Sequence, residues 1–122
     1  MAFTLVRDDG ERIVEARGVF PDGGRFKALV TCPPEMRATF DLVVFDAAGA
    51  SFPLKPMAGL PCGNDVPMPG AFRLTGSSEE TVCIVWSEQG EVDRILVSQG
   101  ENALGAHAMC KHLASAGMSS GR

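Results

Sequence analysis

Turn-forming residues interrupt this chain at short intervals, and the runs left between them have the length of strands. Asp9-Gly10, Pro21-Asp22-Gly23-Gly24, Pro33-Pro34, Ala47-Ala48-Gly49-Ala50, Gly76-Ser77-Ser78 and Gln89-Gly90 each mark a reversal or a stop. Glycine reaches positive φ without steric cost, and proline removes a backbone donor, so a ladder cannot run through such clusters. Asp9-Gly10 between two apolar-containing runs is a two-residue hairpin signal.

The intervening runs carry β periodicity. Phe3 to Arg7 alternates, and Arg12 to Ala16 can return beside it. Arg25 to Cys32 places Phe26, Ala28 and Val30 on one face. Thr39 to Asp46 is apolar on both faces, with Phe40, Leu42 and Val44 against Val43 and Phe45. A strand of that kind is central and covered on both sides. The strongest β signal lies in Glu79 to Ser87, through Thr81, Val82, Ile84, Val85 and Trp86. Ser51 to Leu54 and Ala71 to Leu74 read as shorter strands, and Glu91 to Ser98 reads as a strand on Ile95 and Val97.

The segment 101–116 differs. It is Ala-rich, its residues Ala103, Ala106, Cys110, Leu113 and Ala114 form one helical stripe, and Gly117 suits a helix C′ position. Ala108 to Leu113 also alternates as a strand would. The expectation is a mainly β fold, an antiparallel β-sandwich of jelly-roll or Ig-like kind, with one C-terminal helix. One domain spans 1–117, and 118–122 forms a flexible tail. Phe26, Val30, Phe40, Leu42, Val44, Ile84 and Trp86 are expected in the core.

Charge and cysteine usage narrow the functional classes. The net charge of -4 comes without a basic stripe, so no nucleic-acid partner is expected. No apolar run approaches the roughly 20 residues of a membrane helix. Met1 to Arg7 lacks a basic segment followed by a long apolar one, which suggests a cytoplasmic protein, or an extracytoplasmic one if a signal has been trimmed. Cys32, Cys62, Cys83 and Cys110 show no C-x-x-C spacing. Four cysteines permit two disulfides in three connectivities. Four reduced thiols acting as small apolar residues are the expected state in a reducing compartment.

Catalytic chemistry is poorly represented. His107 and His112 are five residues apart, about 140° on a helix, so they would not share a face, and Cys110 would not join them as a metal ligand. No metal or cofactor is expected. Asp8-Asp9 and Glu79-Glu80 flank turns, where charges are usually solvated. H-E-x-x-H and glycine-rich phosphate loops are missing. Cys62-Gly63-Asn64-Asp65 places a thiol near an amide without a base beside it, so a cysteine-dependent hydrolase is the least favoured alternative. No catalytic residue is assigned.

The remaining feature is the stretch Pro53 to Pro69, which holds five of the eight prolines together with Leu54, Met57, Leu60, Val66 and Met68. Prolines restrict the unbound chain, so such a loop can present a surface at low entropic cost. Met57, Leu60 and Met68 are the candidate apolar contacts, and Asn64 and Asp65 the candidate hydrogen-bonding residues. The competing account has the same apolar residues plugging the end of a sandwich, and exposure separates the two. The function expected is a non-catalytic accessory or protein-interaction module, its partner another protein or a second copy in a homodimer. A small acidic inhibitor or immunity-type protein is the alternative.

Three segments within Ala38 to Glu88 also carry a family likeness. They are Ala38 to Gly49 as a central strand and turn, Ser51-Phe52-Pro53-Leu54 as a short "L-F-P" segment, and Leu60 to Leu74 leading into a "G-x-E" turn and strand. Here that turn is one residue longer, Gly76-Ser77-Ser78-Glu79. This stretch resembles a bacterial family of unknown function whose small β-sandwich modules are appended to protein kinases, caspase-like peptidases and other regulatory proteins. The resemblance implies an accessory sandwich in a bacterial regulatory system and brings no catalytic residues.

Overall fold

A computed structural model of the chain describes residues 1–7, 19–20, 25–73 and 79–115. The expected Asp9-Gly10 hairpin, the return strand 12–16, the turns at 21–24 and 76–78, and the tail 118–122 lie outside the described residues.

The fold is mainly β, with two sheets facing each other as an open sandwich. In the smaller sheet, β1 (Ala2–Arg7) runs antiparallel to β3 (Arg25–Thr31), pairing Phe3 with Val30 and Leu5 with Ala28. The alternation seen in sequence is realised, since Phe26, Ala28 and Val30 are buried while their neighbours are not. Two short strands, β7 (Val66–Pro67) and β8 (Phe72–Arg73), complete this sheet along β3.

The larger sheet contains β2 (Val19–Phe20), β4 (Thr39–Asp46), β5 (Gly49–Ser51), β6 (Met57–Ala58), β9 (Glu79–Ser87) and β10 (Ala108–Ser115). Their order is β2, β10, β9, β4, β5, with β6 also pairing β4. All pairings are antiparallel except the short one between β2 and β10. Between β4 and β5 the Asp46 carboxylate accepts the Ala48 N–H at 2.8 Å, and Gly49 supplies the positive φ that reverses the chain.

The two apolar faces of β4 and β9 are both covered. Phe40, Leu42, Val44, Val82 and Ile84 face the smaller sheet and form the main core. Val43, Cys83 and Val85 face outward, beneath Val97 and the half-buried Phe52, Val92 and Leu104. The sandwich therefore carries a third, partial layer made by the segment 88–107.

Three expectations are corrected here. First, the described part of the segment expected as a helix, 101–115, is not one. A 3-10 turn at Glu101–Ala103 is followed by Gly105 at φ 74°, and β10 then pairs along β9. Alanine favours helix only by tenths of a kcal/mol, and a long ladder with the most β-prone run in the chain outweighs it. Second, Glu91 to Ser98 holds a short helix, α1 (Arg94–Val97), in place of a strand. The Asp93 carboxylate accepts the N–H groups of Ile95 and Leu96, both at 3.1 Å, as an N-cap. Third, Glu80 is buried at 5% exposure, so this carboxylate is not the solvated turn charge expected.

The cysteines are paired, not free. Cys32 is bonded to Cys62, and Cys83 to Cys110. Cys83 and Cys110 stand opposite each other in the β9–β10 register, with Cα atoms 4.1 Å apart. That is the closer type of cross-strand pair, in which side chains meet. Cys32 follows β3, and its N–H donates to the Gly63 carbonyl at 3.0 Å, which brings Cys62 alongside. Protein purified without reductant and then denatured should yield no reactive thiol, and four after reduction. A count of four before reduction would contradict both bridges.

Candidate functional site

The proline-rich stretch is an arm that crosses from one sheet to the other. It leaves the larger sheet at β6, where Met57 pairs with Phe40, and joins the smaller at β7, where Pro67 pairs with Leu29. Proline is tolerated there because β7 lies at the edge of the ladder. Between these points the arm is held by the Cys32–Cys62 bridge and by the Asp65 N–H, which donates to Thr31 Oγ1 at 3.0 Å.

This geometry divides the five candidate binding residues. Leu60 and Met68 are 2% and 1% exposed and belong to the main core. They close the gap between the sheets and offer nothing to a partner, so their assignment as contacts is corrected to the plug account. Their burial follows from the strand pairings on either side, which turn the arm inward. Met57 is half-buried against the core, and Asn64 and Asp65 are exposed. Asp65 has φ 52°, a left-handed conformation that aspartate tolerates.

The arm also forms a groove. Residues 53–57 and 69–71 line a groove of about 370 Å³, with Pro53, Pro56 and Pro69 beside Leu54 and Met57 in its wall. Gly70 keeps it open, since at φ 97° it favours glycine, and an added Cβ would lie 3.0 Å from Leu54 Cδ2.

An ion pair lies behind this groove. Asp41, fully buried on β4, receives Arg94 Nε at 2.7 Å and Nη2 at 3.0 Å. Arg94 Nη2 also donates to the Leu54 carbonyl at 2.8 Å, and the guanidinium lies 4.5 Å from the Phe52 ring centroid. One cation thus ties α1 to the central strand and to the arm. The hydrogen bond to Asp41 raises the Arg94 pKa above its usual value, although partial burial opposes this. The sequence reading missed the pair. Its signal was the single acid inside the apolar run Phe40 to Phe45, because a carboxylate in a covered strand requires a partner.

A second cleft, of about 390 Å³, opens where α1 meets the ends of β9 and β10. Val92, Leu96 and Leu104 contribute apolar surface, and Glu91 and Asp93 contribute carboxylates. Trp86 and His107 stack beside it at 5.6 Å and 15° between planes. Trp86, expected in the core, is only half-buried, because the β10 ladder begins opposite Val85 and leaves Trp86 paired with a strand on one side only.

The histidines do not meet. His112 Nε2 lies 3.0 Å from Glu101 Oε1 on the exposed surface, while His107 stays with Trp86. As residues of one strand, Cys110 and His112 share a face, but the Cys110 sulfur is bonded to Cys83. Likewise Cys62, the thiol of the hydrolase alternative, is bonded to Cys32. Among the described residues no three His, Cys, Asp or Glu side chains gather as metal ligands, and no helix is long and apolar enough to cross a membrane. Comparison with protein-family models, with curated proteins and with solved structures found no match to this chain.

Proposed function

We propose that this protein is a non-catalytic protein-interaction module of an accessory kind, working in an oxidising compartment. The observation that carries the reading is the arm groove. Its proline-rich walls are fixed between two sheets and a disulfide, so little ordering is needed when a partner docks. Met57, with its adaptable thioether, and exposed Lys55 are the contacts within it. The resemblance of Ala38 to Glu88 to accessory sandwich modules of bacterial regulatory proteins supports the same role. Two disulfides favour an extracytoplasmic site of action over the cytoplasm, where thiols are kept reduced.

The test separates docking from folding. Lys55→Glu and Met57→Ser should abolish capture of a protein partner that the wild type enriches from extracts of the source cell, with circular dichroism unchanged. Leu60→Ser and Met68→Ser should instead unfold the protein, since each places a hydroxyl in the core. Capture undiminished by both groove variants would move docking elsewhere. A sedimentation profile shifted to twice the mass, and abolished by the same variants, would identify the partner as a second copy.

A further inference from the structure

The two disulfides sit in different surroundings. Cys83 and Cys110 lie inside the β9–β10 ladder, with two further pairs on one side of them and four on the other. That ladder holds the strands together with or without the bridge. Cys32 and Cys62 have no such support. Cys32 stands just beyond β3, and Cys62 lies in the irregular crossing between β6 and β7. Each of those two strands pairs over two residues only. Between them, the Cys32 N–H donates to the Gly63 carbonyl and the Asp65 N–H to Thr31 Oγ1, both at 3.0 Å. Both bonds end at Cys32 or its neighbour, so they depend on the same junction as the bridge. From Ala58 to Asp65 only Leu60 is buried.

A segment with little buried surface and few ladder bonds opens locally at low free-energy cost. A covalent tie across such a segment removes that freedom, whereas a tie inside a long ladder duplicates what the ladder already does. Exposure does not separate the bridges, since Cys62 and Cys110 are both half-buried. The ladder does. The arm groove is affected because Met57 in its wall belongs to β6, which leads directly into the crossing.

We propose that the Cys32–Cys62 bridge is an oxidative latch: its closure fixes the crossing and with it the Met57 wall of the groove, while Cys83–Cys110 leaves the arm unaffected. Closure takes a disulfide donor, a small or protein disulfide of the oxidising compartment. An S–S bond forms between Cys32 and Cys62, the donor S–S bond breaks, and two electrons and two protons pass to the donor sulfurs. The chain with this bridge open keeps its sandwich and has a loose arm, so the groove becomes competent only after oxidation. That consequence for docking rests on the docking reading of the groove, and the latch itself does not.

Hydrogen exchange read by mass spectrometry reports the latch without any partner. Cys32→Ala/Cys62→Ala should speed exchange in peptides covering 53–66 at least about tenfold, with β9 and β10 as protected as in the wild type. Cys83→Ala/Cys110→Ala should leave the arm at its wild-type rate. In the unaltered protein, brief treatment with dithiothreitol followed by alkylation should label Cys32 and Cys62 before Cys83 and Cys110. Oxidised glutathione, added in place of the alkylating agent, should restore protection of the arm. An arm equally protected without its bridge would overturn the latch. So would equal loosening by either pair of substitutions, or earlier labelling of Cys83 and Cys110. Loss of protection in β9 on Cys32→Ala/Cys62→Ala would overturn it too, because the bridge would then hold the whole fold. Capture undiminished by Lys55→Glu and Met57→Ser would remove the docking reading and leave these exchange rates as they are, so the two fail separately.

Discussion

Truncating Phe40 to alanine should destabilise the protein by about 3–5 kcal/mol, while Trp86→Ala should cost about half as much. The two residues are cross-strand partners with rings 6.3 Å apart, and sequence periodicity places both in the core. Their surroundings differ. Phe40 is fully buried between the sheets, where few neighbours can move into the space it leaves. Trp86 is half-buried near the end of β9, with one side against His107 and the cleft. Water can fill part of the space that Trp86 vacates, so the cavity contribution is smaller. A domain of this size has about 5–15 kcal/mol of total stability, so Phe40→Ala removes a large part of it. Urea unfolding of both variants measures the difference. Equal costs, or a larger one at Trp86, would show that Trp86 on β9 is packed as tightly as its partner Phe40 on β4.

The contrast indicates what sequence periodicity can and cannot carry. Alternation in Arg25–Thr31 and the two-sided apolar pattern of Thr39–Asp46 predict facing correctly, because strand period alone determines it. How deep a residue lies depends on where the neighbouring strands end: Phe40 is flanked by Met57 and Trp86, whereas the β10 ladder stops short of Trp86. The last strand was misread for a related reason. Ala108–Ser115 suits a helical stripe locally, and only its pairing with β9 selects the extended form. In Glu91 to Ser98, Ile95 and Val97 alternate as a strand would, yet Ile95 is among the most exposed side chains and Val97 is buried. There the informative residue was Asp93, whose capping role fixes the start of α1.

The candidate site was legible to a similar degree. The density of prolines marks the arm as irregular and restricted. The inward turn of Leu60 and Met68 is not visible in that density, because it follows from ladders to β4 and β3 and from the bridge to Cys32. The cysteine pairing was equally non-local. Cys83 and Cys110 meet because of the β9–β10 register, which no spacing rule contains. Asp41 was the one local clue to a long-range contact, and its partner lies 53 positions away.

That contact supplies the second large effect. Arg94→Met should lower stability by about 2–4 kcal/mol, somewhat below the roughly 3–5 kcal/mol typical of breaking a buried pair. The reduction follows from exposure: 37% of the Arg94 side chain is open to solvent, so water can reach part of the space it leaves. The cost arises mainly at Asp41, which is fully buried and, among the described residues, keeps only the Leu42 N–H at 2.9 Å as a donor once Arg94 is gone. Loss of the bond to the Leu54 carbonyl and of the contact with Phe52 adds to it. Asp41→Leu should be costly too, since it leaves the guanidinium without its carboxylate. The double variant Asp41→Leu/Arg94→Met should cost less than the sum of the single ones, because neither charge is then stranded. Unfolding measurements on the three variants give the coupling directly. Additive costs would mean that the pair contributes no mutual stabilisation. In that case Arg94 would hold α1 only through Phe52 and the Leu54 carbonyl, and the arm groove should lose its partner in Arg94→Met while Asp41→Leu keeps it.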